Sequence, residues 1–300
     1  YRNGRPTFPV LYFAGTLFGL YEAYITKILW NPDWGEVFKI ADVAVFEMIA
    51  LVLFWHVWMS FILPLLAADV WLTRSNEILP LFPYHLQKLF LNRKGWVLVA
   101  VLGGVFVTIN LPEPSSALIS GLGVIGVLGF FGWLWRRMIK EHTYTIADLL
   151  PNKREFNILA VWLLVIYLLT GFTLRPESFP TLTGHIIIWV FYGIFLLLFY
   201  TALRSSRKAV SEAGETSVTI PARFWFWGLL LFFIIAAVVE GLAHVLGLEG
   251  GIGFICWYGV VVLGIFMLIW ALRILFQEKR KMKKLSIYII LVLCLMGIIG

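Results

Sequence analysis

Five ionisable residues stand inside long apolar stretches: Glu22, Glu47, His56, Glu240 and His244. Charge in such a setting is costly, so these residues are the first candidates for function. Glu240 and His244 are four apart, which on a helix places a carboxylate and an imidazole on one face. Such a pair can pass a proton between its members, or supply two ligands to one divalent metal. Glu47, together with Glu22, is expected to complete that metal site if the first, second and seventh spans meet. Glu22 and His56 extend the polar set. A b-type haem needs two facing imidazoles at matched depth, and only His185 and His244 could match; the cofactor is otherwise left open. Cys256 and Cys294 both fall in apolar stretches and read as small buried hydrophobes, not as a disulfide or metal pair.

The elements that must position these residues are membrane-spanning helices. The 300 residues are 61% hydrophobic and 14% charged, with a mean hydropathy of +0.89. A soluble domain of this size could not hide that much apolar surface. About 20 apolar residues are needed to cross the hydrocarbon layer. The sequence predicts nine spans, at 8–30, 40–71, 95–111, 116–135, 156–173, 183–203, 224–247, 252–276 and 285–300. The fold class is therefore all-α, a polytopic transmembrane bundle forming a single integral membrane domain over 1–300. The second span is longer than a crossing needs and contains Pro64, which predicts a kink near His56–Pro64 or a strong tilt. The segment SNEILPLFPYHLQKLFLNRK at 75–94 interleaves apolar and basic residues and predicts a helix lying in the cytoplasmic interface.

Basic residues crowd every second connection. Arg74, Lys88, Arg93 and Lys94 fill one. Arg136, Arg137, Lys140, Lys153 and Arg154 fill the next, then Arg204, Arg207, Lys208 and Arg223, then the run Lys279–Lys284. By the positive-inside rule these connections and the N-terminus face the cytoplasm. The net charge of +7 then follows from orientation. It calls for no nucleic-acid partner, only membrane lipids. In this orientation Glu22, Glu47, Glu240 and His244 all lie nearer the outer face, with His56 near mid-membrane. Lys27 is expected to pair with a carboxylate such as Glu22. Trp30, Trp34, Trp96, Trp133, Trp135, Trp225 and Trp227 are expected as interfacial anchors. The glycines at 121, 123, 126, 129 and 132 are expected at a helix–helix contact.

Sharper motifs are missing from the sequence: no HExxH, no GxSxG, no Walker A and no CxxC. The segment YEAYITK at 21–27 resembles the first motif of CAAX-type intramembrane proteases, a double Glu followed by Arg. Ala23 and Lys27 stand where that motif has its second Glu and its Arg, and Val52 stands four before His56 where the family has Phe. The resemblance therefore transfers no activity. Three functions remain open. The first is a transporter or permease of the plasma membrane, with its polar site nearer the outer face. The second is a membrane-embedded enzyme acting on a lipid or lipid-linked substrate, with a metal at Glu240, His244 and Glu47. The third is a structural or assembly subunit in which the charges pair helices.

Overall fold

The computed structural model describes residues 6–32, 35, 37–73, 76–108, 113–139, 144–209 and 222–277. Nine helices of eight or more residues account for most of them. They are α1 (Phe8–Thr26), α2 (Val45–Thr73), α3 (Tyr84–Leu91), α4 (Arg93–Val107), α5 (Pro114–Ile139), α6 (Lys153–Thr173), α7 (Leu182–Ala209), α8 (Ala222–Leu246) and α9 (Glu249–Gln277). Among the described residues seven helices are long and apolar enough to cross a membrane. An eighth span arises if α3 and α4, bent by 93° at Asn92, count as one. Seven of the first eight expected spans have a counterpart among these helices, and the third, at 95–111, has one only if α3 and α4 are taken together. The ninth, at 285–300, lies outside the described residues.

Local chemistry sets the helix ends. Pro9 opens α1, where its missing N–H is no loss, and Lys27 closes it in the left-handed region at φ 56°. Asn152 caps α6 and forms a reciprocal capping box with Glu155. Asn92 caps α4 by accepting from the Lys94 amide.

The second span departs most from expectation. It is one helix of 29 residues, but a run of 15, Met48–Ile62, and a second of 5, Asp69–Thr73, are wound as π-helix with i→i+5 bonds. Winding returns to α at Leu63–Ala68, around Pro64. The winding changes between Ile62 and Leu63, beside Pro64, where the sequence predicts a kink or a strong tilt. π turns are usually single and tend to mark functional places. The first run is long, and His56 sits inside it.

The chain gathers into two units. One comprises 1–63, 150–213 and 261–300, the other 64–149 and 214–260. In the first, α1 packs on the π segment of α2, on α7 and on α6. Tyr12, Phe13, Leu20 and Ile188 are its buried heart. A two-stranded hairpin, β1 (Lys39–Ile40) with β2 (Val43–Ala44), turns the chain from α1 into α2. α6 leaves Phe156, Trp162, Leu169 and Phe172 exposed, as a helix surrounded by hydrocarbon does.

In the second unit, α8 packs on α4 and α5. The close contacts come from Gly121 of the expected stripe, where a Cβ would run into the Phe233 ring, and from glycines outside it. A Cβ on Gly104 would lie 2.6 Å from the Phe232 carbonyl oxygen, and one on Gly228 would lie 2.9 Å from Trp96. Of the expected stripe, Gly121 meets Phe233 and Gly132 meets Trp71, whereas Gly123, Gly126 and Gly129 face open space. Gly104→Leu is therefore expected to destabilise the protein by about 1–3 kcal/mol, since the backbone ahead of it cannot yield. Gly123→Leu should be neutral. Heating in detergent followed by size-exclusion chromatography checks both, and equal survival of the two variants would refute this packing.

Several tryptophans expected as interfacial anchors are packed inside protein instead. Trp30, Trp96 and Trp225 are buried, and the last two meet edge to face at 4.9 Å. Trp133 and Trp227 are exposed, as anchors would be. Trp34 lies outside the described residues.

Candidate functional site

The first unit carries the site. α1 and α2 run antiparallel, and two glycines four apart let them touch. A Cβ on Gly15 would lie 3.0 Å from the Val57 Cα, and one on Gly19 would lie 3.2 Å from the Val52 Cα. This is close approach of the GxxxG kind. The Tyr12 hydroxyl adds a buried bond to the Leu53 carbonyl at 2.8 Å. At the far end the Ala44 amide donates to the Leu29 carbonyl at 2.7 Å, fixing the register.

One turn beyond Gly19, that register brings Glu22 to His56. Glu22 Oε2 lies 2.9 Å from His56 Nδ1, and Ser60 Oγ lies 3.4 Å from the same nitrogen. The His56 side chain is 11% exposed and that of Glu22 is 41% exposed, so the carboxylate is the accessible member. With Glu22 ionised, Nδ1 must carry the hydrogen they share. The pair can therefore hold one proton in a setting otherwise apolar.

Glu47 lies on the same helix as His56 and is 2% exposed. Glu47 ends the short α-wound turn Val45–Glu47 that leads into the π segment. At α spacing, Glu47 and His56 would fall on opposite faces.

Lys27 does not pair with Glu22. Its ammonium donates to the Leu174 carbonyl at 2.5 Å and the Ile25 carbonyl at 3.3 Å, and lies 5.5 Å over the Phe179 ring. Arg175 returns the favour from the α6–α7 loop, donating to the carbonyls of Thr26 and Asn31. The two cations thus satisfy carbonyls that the ends of α1 and α6 leave open. Burial pushes the Lys27 pKa below the usual lysine range, Arg175 adds to this, and Glu177 opposes it.

Below this cap sits an aromatic group that sequence reasoning missed. Tyr167 stacks on Tyr21 and Tyr24 at 5.0 and 5.1 Å, and is hydrogen-bonded to Tyr192. The Tyr24 hydroxyl lies 3.5 Å from His185 Nδ1, and the His185 ring is surrounded by Tyr24, Trp30 and Phe179. Tyr21 and Tyr24 are one helical turn apart on α1, a spacing visible in the sequence. So was the Gly15–Gly19 pair.

Glu240 and His244 belong to the second unit, one turn apart near the end of α8. Glu240 is half-buried and His244 is exposed. Among the described residues no three His, Cys, Asp or Glu side chains gather closely enough to hold a metal ion. Cys256 donates a long contact to the Val105 carbonyl at 3.7 Å, in keeping with a buried hydrophobe. Cys294 lies outside the described residues.

Residues 1–290 match an uncharacterized membrane protein family. An uncharacterized protein of Archaeoglobus fulgidus is 34% identical over 233 residues, which is 76% of this chain and 69% of that protein. No solved structure matches.

Proposed function

The chain belongs to this uncharacterized membrane protein family, and from that premise we propose that it is a proton-linked permease of the cytoplasmic membrane. The observation that supports the reading is the Glu22–His56 contact of 2.9 Å. A carboxylate and an imidazole that share one proton inside apolar helices are the usual parts of a coupling site. Glu22 is open on one side and would take the proton or cation first. His56, held by Ser60 and by α1, would be its relay. Glu47 is a further buried carboxylate on the same helix. Glu240 and His244 form a second carboxylate–imidazole set in the other unit. The N-terminus is placed in the cytoplasm by the charge pattern alone, which puts Glu22 nearer the outer face.

The test uses purified protein in vesicles loaded with a pH-sensitive dye. An inside-negative potential is imposed with potassium and valinomycin, and inorganic cations and small organic acids, amines and sugars are added outside in turn. At least one addition should acidify the lumen faster than in protein-free vesicles. If folded protein gives no acidification with any of them, the permease reading fails.

A further inference from the structure

We propose that the second unit holds one anionic phospholipid, with its phosphate at Lys88 and Arg93 and one acyl chain lying between α4 and α8. Two adjoining hollows suggest it. The right-angled bend at Asn92 leaves a recess of about 380 Å³ lined by Tyr84, Gln87, Lys88, Leu91, Asn92 and Arg93. Beside it runs a groove of about 640 Å³ lined by Arg93, Trp96, Val97, Phe224, Trp227 and Leu231. Arg93 lines both, so a basic mouth opens directly into an apolar trough.

Charge complementarity selects the headgroup. Lys88 and Arg93 are exposed, and among the described residues neither has a carboxylate within ion-pairing distance. The first turn of α4 begins at Arg93, and the positive end of its dipole favours an anion.

The trough selects the chain. A second helix would need small residues on the floor for its backbone to come close. The only glycine there, Gly228, is already covered by Trp96, whose ring would lie 2.9 Å from a Cβ at that position. What remains is a groove walled by Trp96, Trp227 and Leu231, apolar and open along one side as an acyl chain requires. Trp227 is 62% exposed and forms its outer wall. The Trp96 indole donates to the Phe90 carbonyl at 2.5 Å, so the inner wall is anchored to α3.

The experiment compares phosphatidylglycerol with phosphatidylcholine of the same acyl chains, added to delipidated full-length protein in neutral detergent and counted by native mass spectrometry. Phosphatidylglycerol should bind about tenfold more tightly. Lys88→Gln with Arg93→Gln should reduce it to the phosphatidylcholine level. Leu231→Trp, which narrows the groove, should weaken both lipids. Inorganic phosphate in excess should displace little. Equal binding of the two lipids, no change in the double variant, or full displacement by inorganic phosphate would each overturn the proposal. Circular dichroism of the surface variants guards against a folding artefact.

Discussion

Glu22→Gln is expected to reduce proton-linked flux about a hundredfold, the usual scale for losing a positioned proton carrier, while yield and heat stability stay near wild type. The two readings of the Glu22–His56 pair part company here. If the pair only ties α1 to α2, removing one partner leaves the other uncompensated and the protein should unfold more easily. The structure argues against so large a structural share. α1 is already held by Gly15 and Gly19 against Val57 and Val52, by the Tyr12 bond to Leu53, and by the Leu29–Ala44 bond. A carboxylate 41% exposed contributes about 1 kcal/mol or less to such a contact. Gln keeps the shape and an acceptor oxygen for His56 Nδ1, so little stability is at stake. It cannot take up or release a proton. Flux in vesicles and survival on heating are read from the same preparation. A variant that transports normally, or one that loses heat stability along with flux, would sink the coupling role.

The apolar spans were legible because hydrocarbon imposes a length and a composition that few other folds share. Glu22 and His56 were legible as ionisable residues out of place. Their meeting was not, because it depends on the antiparallel register of α1 on α2 and on a winding that hydropathy does not record. Gly15 and Gly19 were the available signal for that register. The stripe in α5 drew the eye by number instead, though only Gly121 and Gly132 there meet a neighbour. Lys27 was misread for a local reason. Sequence distance made Glu22 its natural partner, but the left-handed cap at Lys27 turns its ammonium to the carbonyls of Ile25 and Leu174. Trp30 was misread in the same way: a tryptophan at a span end suits an interface, and here it is enclosed with Tyr24 and His185.

Asp69→Ala is expected to destabilise the protein by about 2–4 kcal/mol, because it strips partners from a fully buried place. Nothing in the sequence separates Asp69 from an ordinary charge at the end of a span. In the structure it is 0% exposed, and each carboxylate oxygen is used. Oδ1 accepts from the Thr73 hydroxyl and Oδ2 from the Ile78 amide, both at 2.8 Å. The second bond ties the last turn of α2 to the residue that begins the approach to α3. Alanine leaves the Ile78 amide unanswered and opens a small void. Asparagine should be much milder. Its oxygen can still accept from Ile78, and its amide can donate to a Thr73 hydroxyl that need only rotate. The order wild type, then Asp69→Asn, then Asp69→Ala should appear in unfolding by denaturing detergent followed by circular dichroism. If alanine proved as stable as asparagine, the bond to Ile78 would not be what holds this turn, and the packing of Trp71 on Gly132 and the Trp135 bond to the Leu72 carbonyl at 2.9 Å would have to carry it.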